Sequence, residues 1–330
     1  MLEYQVYMAR VEQALENSQA EAVPSSRKIQ NLRSQATLKF IDAASDIIIW
    51  GEERIRRQFE TTYDPDYDDR VKADVATGNR VAVISNHPEY PEPFLLVEGL
   101  DHTREVSGIE GWDLLFTKII LTGDKGAGIM GLVRVAMPVL TEHKVRPLLI
   151  VRPQDAGILP KSNLQVADSV QESFRQNRGL VMHATGTVNE GRKIKDGPYK
   201  GLVRGFEHFE RNALRAVILE NNLLNEELGT NNGLSFIVAT DVWKRHVHNP
   251  DTMRPTIDAF LVGTGLVHDS LASTHFSSPI RYDEGELGEL LRSGRMTHEK
   301  WEMYNAVFER EVIRNLPAEK IFVAPPIPLR

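Results

Sequence analysis

The stretch that decides the fold is Arg80-Val81-Ala82-Val83-Ile84-Ser85-Asn86-His87-Pro88-Glu89-Tyr90-Pro91-Glu92-Pro93-Phe94, RVAVISNHPEYPEPF. A short apolar, largely β-branched run bounded by polar residues is the pattern of a strand buried on both faces. Pro93 suits the first position of a helix, with Glu92 as its cap and Phe94-Leu95-Leu96-Val97 opening a buried face. Asn86-His87 then falls at the strand's end, where open α/β sheets carry their chemistry.

Upstream of this stretch the texture is helical. YQVYMARVEQALENSQAEA is followed by Pro24-Ser25-Ser26, and the next segment repeats apolar residues at Ile29, Leu32, Ala36, Phe40 and Ala43. That spacing of three or four predicts a helix capped by Ser25 or Ser26. SDIIIWGEERIRRQFETTY reads as more helix, and TYDPDYDD as a turn-rich acidic connector.

Downstream from Gly78, short apolar runs alternate with amphipathic ones. FTKIILT, MPVL, GLVMHATGT, LSFIVATDV and IDAFLVGTGLV read as strands. GIMGLVRVA, SNLQVADSVQESFRQNRG, GLVRGFEHFERNAL and HEKWEMYNAVFEREVIRNL read as helices. Alternation of this kind predicts an α/β fold: a central, mostly parallel mixed sheet flanked by helices. A small all-helical domain over 1–75 would precede the α/β domain over 76–330.

With 330 residues, a net charge of −7 and no cysteine, the chain excludes disulfides, thiolate metal sites and cysteine nucleophiles. The acidic balance argues against nucleic acid as a partner. No apolar run nears the roughly 20 residues of a membrane span, and the first residues lack the apolar core of a signal peptide. The expectation is a cytoplasmic protein, soluble or in peripheral contact with a membrane.

His87 and Glu92 are five positions apart across a link stiffened by Pro88 and Pro91. A carboxylate there can turn back and accept from the imidazole, fixing its tautomer and raising its basicity, as a general base requires. Glu89 is the second choice of partner, since a return across Pro88 alone is harder. The competing reading, a helix-capping glutamate beside an exposed histidine, stands level with it.

The stretch N-H-P-E-Y-P-E-P resembles the N-H-x4-D motif of the glycerolipid acyltransferases, with Glu92 in the aspartate's place. GIMGLVRVAMPVLTEHK resembles that family's second block, and NLQVADSVQESFRQNRGLVMHATGTVNEGR its third, in order. Gly201-Leu202-Val203-Arg204-Gly205 resembles the helix start that follows, and LSFIVATDV the fourth-block strand. The likeness covers about residues 78–270 and is greatest to the soluble, plastid-type glycerol-3-phosphate acyltransferases. It implies transfer of a fatty acyl group from acyl-CoA or acyl carrier protein to the hydroxyl of glycerol 3-phosphate or a related phosphorylated acceptor, the first step of phospholipid synthesis. His87 and Glu92 would be catalytic and no cofactor or metal would be needed. Asn86, Gly186 and Thr187 would line the substrate site. His143, Lys144 and Arg146, expected beyond the second-block strand, and Arg192, Lys193, Lys195, Lys200 and Arg204, beyond the third, would hold phosphate. The third block departs from the family's P-E-G-T-R: Ala184-Thr185-Gly186-Thr187-Val188 lacks its glutamate and its arginine.

Two further signals are weaker. Gly126-Ala127-Gly128-Ile129-Met130-Gly131 fits G-x-G-x-x-G, but several residues separate it from the preceding strand, so a nicotinamide-dependent oxidoreductase is an alternative only. His246-Val247-His248, with Asp241 nearby, has the spacing of two metal ligands but no further ligand pattern. His183 reads as a satisfied buried histidine. A catalytically inactive member that binds lipid or a partner is the other alternative, favoured by the altered third block.

Overall fold

In a computed structural model, the run Val81-Ala82-Val83-Ile84 is the middle of strand β2 (Arg80–Ser85), and all four side chains are buried. The structure describes residues 59–86, 92–118, 140–151, 159–185, 193–194, 200, 202, 205–209, 211–244 and 272–321.

Before β2 come β1 (Phe59–Tyr63) and helix α1 (Tyr67–Ala76). After it come α2 (Glu92–Ser107), β3 (Gly111–Lys118), β4 (Val145–Val151), α3 (Leu159–Arg175) and β5 (Arg178–His183). Then follow α4 (Arg211–Leu228), β6 (Leu234–Trp243), β7 (Ala272–Phe276), β8 (Ile280–Arg281), α5 (Gly285–Arg292) and α6 (His298–Asn315).

The strands form one eight-stranded sheet in the order β1-β7-β6-β2-β5-β3-β4, with β8 also on β6. From β6 to β4 every neighbouring pair is parallel; β7 and β8 run antiparallel to β6, and β1 runs parallel to β7. The α/β class and the mostly parallel mixed sheet are as the alternation predicts.

Side-chain alternation divides the central strands between two cores. Val81 and Val83 of β2, Val181 of β5, and Ile237 and Ala239 of β6 pack with Tyr67 and Val71 of α1 and with Leu96, Val97 and Leu100 of α2. Ala82, Ile84, Leu180, Met182, Leu234, Phe236 and Val238 face the other way. They pack on α3 (Val170, Phe174), α4 (Leu214, Val217, Ile218, Leu224) and α6 (Trp301, Tyr304, Phe308, Val312). Each large side chain moved from water to such a core contributes about 1.5–3 kcal/mol. On α6 the four recur at three and four positions, one helical stripe, and Thr297 caps its start by accepting from the Lys300 N–H.

Several local expectations are corrected. Phe59-Glu60-Thr61-Thr62-Tyr63, read as helix and connector, is a strand, and the acidic connector leads into α1. The described residues, 59–75 among them, all fall in one compact unit, 46–119 with 136–330. The rest of the expected helical domain lies outside the described residues. Leu140, expected in a strand, is helical, and the strand is Val145-Arg146-Pro147-Leu148-Leu149-Ile150-Val151. Proline lacks an N–H for the ladder, which suits Pro147 to β4, an edge among the described strands. The helix expected from Gly201 begins only at Arg211. Phe206 instead bridges to Ile321, and its N–H donates to the Lys320 carbonyl at 2.7 Å. Gly205 is needed there: a Cβ would lie 2.2 Å from that same carbonyl oxygen.

Candidate active site

Strands β2 and β5 are parallel neighbours, and Ser85 pairs with His183 at the last register position of their ladder. Beyond it the Ala184 N–H still donates to the Ser85 carbonyl at 2.9 Å. After β2 the chain enters α2 on one face of the sheet; after β5 it next forms α4 on the other. Adjacent parallel strands whose continuations leave to opposite faces open a crevice outside their carboxyl ends, the switch point where ligands bind in open α/β sheets.

Asn86 is fully buried at that edge. Its Nδ2 donates to the Asp241 carbonyl at 3.0 Å, and its Oδ1 accepts the Asp241 N–H at 2.8 Å. The carboxamide therefore extends the β2–β6 ladder by one step after regular pairing stops. On the other side, His183 Nδ1 and Ser85 Oγ share a hydrogen bond of 2.7 Å. Burial pushes the His183 ring down to about 4, against the opposing effect of a hydrogen bond with the Asn86 backbone. Above that range the ring is neutral. The strand end preceding residue 87 is thus tied to β5 on one side and to β6 on the other.

Of the predicted site residues, Asn86 is at this edge. Glu92 begins α2. His87, Gly186, Thr187, Arg192, Lys195 and Arg204 lie outside the described residues, as do Gly126–Gly131, His246 and His248. Lys193 and Lys200 are exposed in the connection after β5, where Ile194 N–H donates to the Leu202 carbonyl at 2.8 Å.

His143, Lys144 and Arg146 are not brought to this edge. They sit where β4 starts, not beyond a strand's end, and β4 begins beside Trp112 at the start of β3, which begins beside Arg178 at the start of β5. A six-residue parallel strand spans roughly 20 Å, so these three residues are at the far end of the sheet from Asn86. Their partners there are structural. Asp113 is fully buried and accepts from Arg146 at 2.9 and 2.6 Å, Arg178 at 2.7 Å and Ser173 at 2.6 Å. His143 is buried against the Asp101 carboxylate. Lys144, with a positive φ of 58°, turns its carbonyl to the Trp112 N–H and the Arg178 guanidinium.

Ser85, His183 and Asp241 were not read as site residues from the sequence. The available signal was their place at the ends of apolar strands, and it becomes specific only once the strand order makes them neighbours. Among the described residues no cluster of three or more histidine or carboxylate groups could hold a metal ion, and no helix is long and apolar enough to cross a membrane. Compared with known proteins, the chain matches no family model and no curated protein.

Proposed function

We propose that this chain is an O-acyltransferase that moves a fatty acyl group from an acyl thioester, on coenzyme A or acyl carrier protein, to the hydroxyl of glycerol 3-phosphate or a related phosphorylated acceptor. The observation that supports it best is the switch point. The two motif-bearing segments, Asn86–Glu92 and Ala184–Val188, follow adjacent strands, and the strand ends that lead into them are joined by the Ser85–His183 pair.

In this reading His87 takes the proton of the acceptor hydroxyl, and the oxygen attacks the thioester carbon. The tetrahedral oxyanion accepts from backbone N–H groups of Gly186-Thr187. Collapse breaks the carbon–sulfur bond, and the imidazolium returns its proton to the departing thiolate, so protons balance without a cofactor. Glu92 orients the imidazole. Phosphate is held by cations that follow β5 in sequence, Arg192, Lys193, Lys195, Lys200 and Arg204, and no longer by His143, Lys144 or Arg146.

The test is free-thiol release from an acyl thioester, with and without glycerol 3-phosphate. Release that requires the acceptor, and a turnover rate that falls about 10²–10⁴-fold in His87→Ala with little change in KM, is the expected result. Parent-rate turnover by His87→Ala would remove His87 as the base. Absence of thiol release with any acceptor would return the chain to the lipid- or partner-binding alternative.

A further inference from the structure

Arg80 opens strand β2, six residues before Asn86 and so roughly 20 Å from the switch point. Alternation puts it on the face of Ala82 and Ile84, between Phe174 of α3 and Asn221 and Asn225 of α4. Its Nη1 donates to Asn221 Oδ1 at 2.6 Å, to Asn225 Oδ1 at 2.9 Å and to the Asn221 carbonyl at 3.4 Å. Its Cζ lies over the Phe174 ring, 5.4 Å from the centroid. The two asparagines, one helical turn apart, are themselves fixed. Each Nδ2 donates to the Asn232 carbonyl, at 3.2 and 2.8 Å, which leaves each carboxamide oxygen turned to the guanidinium.

All of this holds one nitrogen. Nε and Nη2 form the edge of the fork that grips a carboxylate or phosphate through two parallel bonds. Neither makes a hydrogen bond to the described residues, and neither is a buried atom left without a partner, so both reach solvent. Arg80 is nonetheless partly buried, and burial lowers its pKa. A guanidinium taken partly out of water is costly unless a negative group offsets it. Among the described residues no carboxylate lies within ion-pairing distance of it. The buried Glu220 accepts from Gln171 at 2.7 Å, and Glu227 from Arg175 at 2.6 Å. Carboxamide oxygens and the carbonyl end of α4 offset only part of a full charge.

We propose that the Nε–Nη2 edge of Arg80 is a binding site for a small oxyanion, a carboxylate or a phosphate group, at the end of the sheet opposite the switch point. Asn221 and Asn225 hold the fork by its other nitrogen, and Phe174 supports its face, so the edge is oriented before the anion arrives. The site is separate from the cations assigned to the acceptor and does not depend on the acyl-transfer reading.

The experiment follows the arginine Nε–H signals of the intact protein by NMR while acetate or, separately, inorganic phosphate replaces chloride at constant ionic strength. The Arg80 signal is assigned by its loss in Arg80→Lys. If that variant does not fold, Phe174→Leu assigns it, by the shift that follows loss of the ring beneath it. The expected result is a saturable shift of the Arg80 signal. Saturation by acetate alone marks a carboxylate site, by phosphate alone a phosphate site, and by both a fork that takes either. Calorimetry of the same anion should show about tenfold or more weaker binding to Arg80→Lys, which keeps the charge and loses the second parallel bond. An Arg80 signal that saturates with neither anion overturns the proposal. An arginine that serves only to hold Asn221 and Asn225 would lower stability when replaced, and the parent would show no saturable response. The titration needs no acyl donor, so failure of acyl transfer in the thiol assay is a separate outcome.

Discussion

Ser85 Oγ lies 2.7 Å from His183 Nδ1, so the final pair of the β2–β5 ladder is joined by side chains as well as by backbone. The pair ties the last residues of the two strands together, and it makes the ring's protonation a matter of stability.

Burial holds His183 at about 4, below the value near 6.5 of an unfolded histidine. The unfolded chain therefore binds the proton first as the solution is acidified. The stabilisation is complete above pH 6.5 and is lost as pH falls towards 4, up to about 3 kcal/mol for a shift of this size. Urea midpoints measured between pH 7 and 4 should fall for the parent. They should fall less steeply for His183→Asn, which starts from a lower midpoint at pH 7. Parallel curves for the two proteins would show that His183 titrates as it does in the unfolded chain.

Asp113→Asn should be among the most destabilising single changes in the sheet. It leaves Arg178, whose side chain is 16% exposed, without its counter-charge, and breaking a buried pair this way costs about 3–5 kcal/mol. Arg146→Gln should cost about 1 kcal/mol or less, since that side chain is 43% exposed and water can replace it. Denaturant unfolding gives both numbers. Thiol release per folded molecule should be unaffected by Arg146→Gln, because this network lies at the far end of the sheet.

Asn86→Ala removes a donor and an acceptor that together satisfy one backbone N–H and one carbonyl of a buried strand. About 1–3 kcal/mol for each group left unsatisfied is the expected loss. Asn86→Asp should be worse than the alanine, because it adds a second buried carboxylate beside Asp241 and cannot donate to the carbonyl. Chemical denaturation of the three proteins orders them, and an aspartate variant as stable as the parent would exclude this arrangement.

At Gly99, α2 lies against the Phe276 ring of β7. A Cβ there would stand 2.0 Å from the ring of Phe276 in β7. Gly99→Ala should lower stability by about 1–3 kcal/mol through overpacking, despite the better helix propensity of alanine. Adding Phe276→Leu should recover part of the loss, and the non-additivity is read from a double-mutant cycle.

What could be read from the chain depended on whether the information was local. Strand β2 was legible because Val81-Ala82-Val83-Ile84 is apolar on both faces, and α6 because Trp301, Tyr304, Phe308 and Val312 keep one stripe. β4 was hidden by Pro147, which argues against a strand unless the strand is known to lie at an edge. The spacing of Phe206 and Phe209 imitates a helix, yet both are buried by an irregular segment pinned to residues 320 and 321. Strands β1 and β7 mix polar with apolar residues, FETTY and ASTHF, and each is explained by the other.

The site divides the same way. Asn86 could be located from sequence because it directly ends a recognisable strand. The basic residues His143, Lys144 and Arg146 were assigned to a strand's end because the strand itself was misplaced, so the direction of the chain past them was reversed. Asp241 and His183 close apolar strands far apart in the sequence, and only the order β6-β2-β5 brings them to the two sides of the β2 end.

The pairing of β1 with β7 has a consequence for how the protein is made. Thr62 and His275, hydrogen-bonded at 3.0 Å, are separated by 213 residues. On a ribosome adding about 5–20 residues per second, β1 would emerge roughly 10–40 s before β7, its one neighbour among the described strands, exists. For that interval its backbone donors and acceptors have no native mate, and the nascent chain carries an open edge to which another chain could add. Truncated chains ending before Ala272 should consequently self-associate more readily than the full-length protein, a difference that light scattering of matched chains would register.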